Sequence, residues 1–461
     1  MTKKINRRRF LQAGGASATA AGFWLTGGVT ESFAGQPGAN ERLNIAIIGC
    51  GGQGGGNASQ PVIAGREARG NQPAVPGENI VALCDVDQTR ARTVFDRYPN
   101  VTKYTDYRQM LEKQKDIQAV VVSTPDHNHF HASAMAIQRG KHVYCEKPLT
   151  HSVWEARTLK DLATKHRVAT QMGNMGTAAN GFRAGVEVLR SGAIGEVREV
   201  HLWTNRPIWP QGNDALDRRM KGNSTVPATL NWESWLGPVS DRPYNSVYLP
   251  FNWRGWWDFG TGALGDMGCH TMNLAYMGLK LGPPSAISAD VEGKVDRDAA
   301  PVGCTVTFEF PAREGLPACR LFWYERRRPP MEILQGVQNP GNSGCVIVGN
   351  KGKMYSGNDY GAEHRLLPAA DFQGYQPPTP TLPRSPGHHA EWIRACKGGA
   401  AAMSNFVDYA CGLTETVLLG NLPIRVGSRI IWDSAKLQAT NAPTAAQYIR
   451  RQYRKGWEWN A

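Results

Sequence analysis

Short, uninterrupted apolar runs dominate the pattern of hydrophobic and polar positions over the first third of the chain. Runs at 43–48, 79–84, 117–123 and 141–145 are rich in Ile, Val and Ala and give way to Gly, Asp, Thr or Glu. They have the length and composition of strands buried on both faces. Between them, helical spacing fits helices at about 53–66, 105–115 and 127–139. Residues 69–78, with two prolines and two glycines, predict a loop that lengthens the first crossover. Ser152-Val153-Trp154-Glu155 is a capping box opening a helix to His166, followed by a strand at 168–171. This alternation predicts an α/β domain with a parallel sheet.

After Gly173 the pattern changes. A helix near 180–191 leads to a strand at 197–204 and then to a long irregular region, 205–257. Period-two alternation follows at 302–310, 318–324 and 344–349, predicting antiparallel strands with one face covered. A proline-rich loop, Pro368 to Pro386, precedes helices at about 388–397 and 404–420. At 461 residues the chain can bury two domain cores. The expected division is a first domain over 41–170 and an α+β domain over 171–461, with the C-terminal helices able to pack back on the first.

The charge balance changes this picture little. Residues 1–34 read as a removable signal: Asn6-Arg7-Arg8-Arg9-Phe10-Leu11 matches the twin-arginine pattern. An Ala/Gly-rich run to Val29 and a small-residue cleavage site at Ser32-Phe33-Ala34 follow. Losing its five basic residues and one acidic residue takes the net charge from +13 to +9. The remaining basic residues are scattered apart from Arg326-Arg327-Arg328, which argues against nucleic acid as a partner. The signal's apolar run is too short and glycine-rich for a permanent span, so no membrane anchor is expected after processing. The expectation is a periplasmic or otherwise exported protein, handled by the twin-arginine translocase. The nine cysteines include no Cys-x-x-Cys pair and read as buried apolar residues.

The candidate chemistry sits at strand ends, where open α/β sheets bind ligands. Ile45-Ala46-Ile47-Ile48 runs into Gly49-Cys50-Gly51-Gly52-Gln53-Gly54. Glycines at 49, 51 and 54 allow a tight turn, close approach to a pyrophosphate and helix–strand packing. Gly52 and Gln53 belong to the same turn. Asp85, ending the second strand, is placed to accept a ribose 2′-hydroxyl, favouring NAD; Arg90 and Arg92 keep NADP as an alternative. Thr124-Pro125-Asp126-His127-Asn128-His129 follows the third strand, and Glu146-Lys147-Pro148 the fourth. Lys147 suits holding or polarising a substrate hydroxyl, with Glu146 tuning it and Pro148 fixing the backbone, a cis bond being one way. Asp266 and His270, four apart, share a helix face, and an imidazole with a carboxylate partner suits general-base work. His127, His129 and His131 alternate like zinc ligands on a strand, but here they open a helix, where alternate residues diverge; no metal is expected.

Taken in order, these motifs, with Gly140-Lys141-His142-Val143-Tyr144-Cys145 before Glu146 and Ser191-Gly192-Ala193-Ile194-Gly195 later, resemble the glucose-fructose oxidoreductase / inositol dehydrogenase / rhizopine catabolism (Gfo/Idh/MocA) family. The resemblance covers nearly all of the chain beyond the signal. It implies a Rossmann domain followed by a largely antiparallel, open-faced sheet often used for oligomerisation, hence a homo-oligomer. It also implies a catalytic trio of Lys147, Asp266 and His270, with Pro125, Asn128, His129 and Glu146 lining the nicotinamide side beside Thr124. Hydride would pass between a sugar or cyclic polyol carbon and the nicotinamide.

Seven of the 14 tryptophans fall between 203 and 257, and their faces suit pyranose rings. Arg254 and Trp257 are the candidates for reaching the substrate, and Asp258 is a candidate for bonding hydroxyls. Export leaves little free NAD to recycle, so a tightly held cofactor is expected. The alternative is an NAD-dependent glycosidase working by transient oxidation and elimination. The histidine–glycine–glycine element of exported relatives of that kind is missing at 260–270. A third reading, a non-catalytic sugar-binding protein, conflicts with the intact Lys147, Asp266 and His270.

Overall fold

The apolar runs of the first third form a six-stranded parallel sheet in the computed structural model, which describes residues 42–67 and 77–459. The twin-arginine segment and most of the 69–78 insert lie outside the described residues. The strands are β1 (Asn44–Ile48), β2 (Asn79–Cys84), β3 (Thr102–Tyr104), β4 (Ala119–Val122), β5 (His142–Cys145) and β6 (Thr170–Met172), in the order β3-β2-β1-β4-β5-β6. All four residues of β4 are fully buried, as a central strand covered on both faces requires. The chain order reverses between β1 and β4, which opens a crevice at their carboxyl ends.

The helix expected over 53–66 is two, Gln53–Ala58 and Pro61–Ala64, because Pro61 starts the second as its first helical residue. A helix at Gln88–Arg97, not foreseen, is capped by Asp87, whose carboxylate accepts from the amides of Thr89 and Arg90. Only Ala91 and Val94 of it are buried, too few to give a helical stripe.

A nine-stranded sheet makes the second half. It comprises β7 (Val197–Thr204), β8 (Ala286–Val291), β9 (Cys304–Phe310), β10 (Cys319–Glu325), β11 (Gly344–Gly349), β12 (Gly352–Ser356), β13 (Arg365–Leu367), β14 (Ile430–Asp433) and β15 (Gln438–Ala439). Their order is β13-β12-β11-β7-β10-β9-β8-β14-β15. Neighbours are antiparallel except β7 and β10, which run parallel from Glu199 opposite Arg320 to Thr204 opposite Glu325. In β9, Val306, Phe308 and Phe310 face the core while Thr305, Thr307 and Glu309 face outward. Against that inner face pack the helices Gly262–Thr271 and Cys411–Leu419. They cross closely at Gly268, where a Cβ would come 2.8 Å from Val417 Cγ1.

The region 205–257 is less irregular than its sequence suggests, holding helices at Gly212–Lys221 and Trp232–Leu236. The late helix His388–Cys396 puts Trp392 into the core shared with β1, and Lys397 pairs with Glu78 at 2.7 Å. All nine cysteines are buried and unpaired. No helix among the described residues is long and apolar enough to cross a membrane.

Candidate active site

One cavity of about 490 Å³ runs along the carboxyl ends of β1, β2, β4 and β5 and under the helix Gly262–Thr271. At one end is the glycine turn. Gly49 has φ +81°, and a Cβ on it would lie 2.6 Å from the Ser123 carbonyl oxygen; a Cβ on Gly54 would lie 1.7 Å from the Gly49 oxygen. The turn is therefore drawn tight by backbone contact that only glycine permits. Asp85 fastens it: Oδ2 accepts from the amides of Cys50 at 2.7 Å and Gly51 at 3.2 Å, and Oδ1 from the Asp87 amide at 2.8 Å. Burial pushes its pKa up, against the pull of these bonds. Arg90 lies beside Gly51 and Gly52 and lines the cavity, whereas Arg92 points to solvent and pairs with Asp96.

Midway sits Glu146. Its Oε1 accepts from Asn57 Nδ2 at 2.8 Å and Gln53 Nε2 at 3.3 Å, and burial raises its pKa. Gly173 makes room for it, since a Cβ there would fall 2.4 Å from Glu146 Oε2. Asn128 donates to the Trp235 carbonyl at 3.1 Å while its buried Oδ1 has no partner, although Asn128 lines the cavity. The His129 ring is held between the carbonyls of Thr124 and Pro148, each at 2.7 Å, tying the β4 turn to the β5 turn. His127 reaches the carbonyls of Phe259 and Trp235, and His131 that of Trp457, so the three rings diverge as the helix dictates. The Lys147–Pro148 bond is cis.

At the far end Lys147 Nζ donates to Asp266 Oδ1 at 2.9 Å and to the Asp266 carbonyl at 2.8 Å. Arg254 Nε reaches the same Oδ1 at 3.1 Å. Burial works to raise the Asp266 pKa, but Lys147 and Arg254 override it and hold the carboxyl well below its ordinary range. Burial likewise opposes the Lys147 charge, and Asp266 outweighs it, leaving the pKa raised. Burial and then the Lys147 charge push His270 down to about 3, so its imidazole is neutral at ordinary pH. Its buried Nδ1 has no partner. The expected Asp266–His270 couple is not formed: no hydrogen bond or ion pair joins them, and both residues lie in the described chain. Asp266 turns instead to two cations brought from elsewhere in the chain.

Of the residues singled out from sequence, Gly49, Gly51, Gly52, Gln53, Asp85, Thr124, Pro125, Asn128, His129, Glu146, Lys147, Arg254, Asp266 and His270 line this cavity. Gly54 acts from behind, as packing against Gly49. Trp257 does not reach it. Its ring lies beside the Arg425 guanidinium, 5.1 Å away, in a separate small cavity with His151 and Tyr448. Asp258 also turns away, pairing with Arg242 at 2.6 Å. Trp209 and Trp253 line the wall instead. Asp126, named in the turn motif but given no role there, is buried, accepts from Thr261 Oγ1 at 2.8 Å, and burial raises its pKa to about 7. Asn57 was missed as well, hidden in a glycine-rich helix whose residues gave no apolar stripe.

The glycine turn and the Asp85 anchor fit a dinucleotide, because the cradle is one that a Cβ at 49 or 54 would fill. Comparison with known proteins agrees. Residues 43–174 match the model of an oxidoreductase family's NAD-binding Rossmann fold, and residues 209–459 the model of that family's C-terminal alpha/beta domain. Inositol 2-dehydrogenase of Serratia proteamaculans (strain 568) is 32% identical over 212 residues, 45% of this chain and 58% of that protein. An uncharacterized oxidoreductase of Rhizobium meliloti is 34% identical over 142 residues, 30% of this chain and 42% of that protein. The matched stretches thus span less than two thirds of these relatives. The fold is shared with the WlbA dehydrogenase from Bordetella pertussis, solved with NADH and UDP-GlcNAcA, at TM-score 0.59 and 15% identity over 86% of this chain and 99% of that one. It is also shared with a levoglucosan dehydrogenase solved with NADH and levoglucosan, at TM-score 0.52 and 18% identity over 85% and 99%. With matched models over both halves, the chain belongs to the Gfo/Idh/MocA family of oxidoreductases, and its first domain is that family's NAD-binding Rossmann fold.

Proposed function

We propose that this oxidoreductase interconverts a secondary alcohol and a ketone on a sugar or cyclic polyol, using an NAD that it holds through the catalytic cycle. The observation that carries the reading is the Lys147–Asp266 ion pair beside a neutral His270, at the far end of the cavity from the glycine turn. Gly49, Gly51, Gly52, Asp85 and Glu146 would hold the nucleotide. NAD, when bound, supplies a two-electron acceptor for the hydrogen on the alcohol carbon.

The chain's own residues handle the oxygen and its proton. The Lys147 ammonium, kept charged by Asp266, holds the substrate oxygen and offsets negative charge developing there. His270, which lines the cavity with its Nδ1 free of any partner in the protein, is the group placed to take the hydroxyl proton as the carbonyl forms. Asp266 positions Lys147 through both its carboxylate and its main-chain oxygen. Arg254, bonded to the same carboxylate, is the candidate for a neighbouring hydroxyl.

The amino-terminal twin-arginine pattern supports export to the periplasm in a folded, cofactor-loaded state. The test is to purify the processed chain without added nucleotide, denature it and measure NAD(H) and NADP(H) released per chain. The native protein is then mixed with a panel of sugars and cyclitols while reduced nicotinamide is followed. About one NAD(H) per chain, reduced by a sugar, is the expected result. An empty protein that turns over only with added NAD would overturn the held cofactor and leave an exchanging dehydrogenase. Cleavage of a glycoside with no net reduction would favour oxidation followed by elimination.

A further inference from the structure

Single apolar side chains left in solvent are common, but a cluster of them marks a binding surface. Ten large ones stand out among the described residues, and four of these line the cavity of the candidate site: Met175, Ile208, Phe251 and Tyr360, at 39%, 63%, 41% and 40% exposure. They come from four separate segments, so proximity in sequence does not explain their convergence. The Tyr360 ring stands edge-on to His270 with centroids 4.9 Å apart. Phe251 packs edge-on to Trp209 at 5.7 Å and lies 4.3 Å from the Arg254 guanidinium, which bonds Asp266. The apolar rim therefore begins where the polar centre ends.

Its cations are engaged within the protein. Arg254 is taken by Asp266 and the Phe251 carbonyl, and Arg206 by Asn205, with Asp359 at 4.0 Å. A bare sugar or cyclitol, polar around its ring, would leave these side chains in water. Resting on the sugar oxidoreductase reading above, we infer that the substrate is a sugar bearing an apolar or aromatic substituent, a glycoside with a hydrophobic aglycone. The ring sits at Lys147 and His270, and the substituent covers Ile208, Phe251 and Tyr360. Ring stacking and burial of apolar area then supply binding that the free sugar lacks.

The test uses the full, NAD-loaded chain and matched methyl and phenyl glycosides of the same pyranoses, following both binding, by calorimetry, and cofactor reduction. The phenyl member of the preferred pair binds at least about tenfold more tightly, the scale set by small apolar increments in a pocket. That ratio falls toward one in Ile208→Asn, a substitution at a mostly exposed side chain. Equal binding within every pair overturns the inference, as does a ratio unmoved by Ile208→Asn combined with Phe251→Ser. Equal binding with a change of oligomeric mass in Ile208→Asn also overturns it, by assigning the rim to a second copy of the chain. The two readings separate cleanly. Phenyl preference without any cofactor reduction keeps the rim assigned and fails sugar oxidation, whereas reduction with equal binding does the reverse.

Discussion

Lys147 and Asp266, 119 residues apart, meet through two hydrogen bonds from one ammonium, to Oδ1 at 2.9 Å and to the main-chain oxygen at 2.8 Å. The second bond fixes the lysine to the backbone of the helix Gly262–Thr271, so side-chain rotation of Asp266 alone cannot release it. Lys147→Ala should lower the rate by roughly 10²–10⁴ while the NAD content of the purified protein is unchanged. Asp266→Asn keeps a bonding oxygen but leaves Lys147 and Arg254 unbalanced. The Lys147 pKa should then fall, and activity should decline at the alkaline end at a lower pH than in the unmodified chain. An unchanged rate in Lys147→Ala, measured with a competent sugar, would remove it from the reaction.

Gly54 tests the cofactor end. A Cβ there would lie 1.7 Å from the Gly49 oxygen, a backbone atom that cannot swing aside. Gly54→Ala should therefore displace the turn and empty the protein of nucleotide, with circular dichroism near that of the parent. Gly56, where a Cβ meets nothing within 4 Å, is the control, and Gly56→Ala should retain NAD.

Asp85 is bonded to three amides of the turn and its own loop, and it lines the cavity at the glycine turn. Replacing it by Ser removes the repulsion of a 2′-phosphate and leaves Arg90 beside Gly52. NAD affinity should fall by about 10- to 100-fold, the scale of a lost hydrogen bond to a charged group, and the NADP-to-NAD ratio should rise. Exchange into stripped protein, read by fluorescence of the reduced nucleotides, measures both.

How much was legible in the chain follows from how local each signal was. β4 and β1 were readable because strands buried on both faces are written as unbroken apolar runs. Helix Gln88–Arg97 was not, since it buries only two apolar side chains and is positioned by the Asp87 cap. At the site, the spacing of Asp266 and His270 correctly put them on one helix but implied a partnership that Lys147 and Arg254 pre-empt. Trp257 and Trp209 look alike in sequence. Only tertiary packing, with Trp209 Nε1 bonded to Gln211 and Trp257 beside Arg425, decides which one lines the cavity.

The same Gln211 also faces a buried carboxyl. Its Nε2 lies 3.3 Å from Oε1 of Glu325, a buried carboxyl that also receives Trp323 Nε1 at 3.4 Å and has no ion-pair partner among the described residues. Burial raises the Glu325 pKa to about 8, with the neutral donors only partly opposing it. The unfolded chain ionises this group near the ordinary value of 4.5, while the folded chain keeps its proton to about 8. Unfolding between those values releases a proton, so stability is full below 4.5, falls as pH rises through the interval, and levels off above about 8. The loss is on the order of a few kcal/mol. Glu325→Gln keeps the shape and an acceptor but cannot ionise, so denaturant midpoints should match the parent at low pH and exceed it above pH 8. Parallel curves for the two proteins across that range would mean that Glu325 is ionised in the fold and that Gln211, and through it Trp209, stands against a charge.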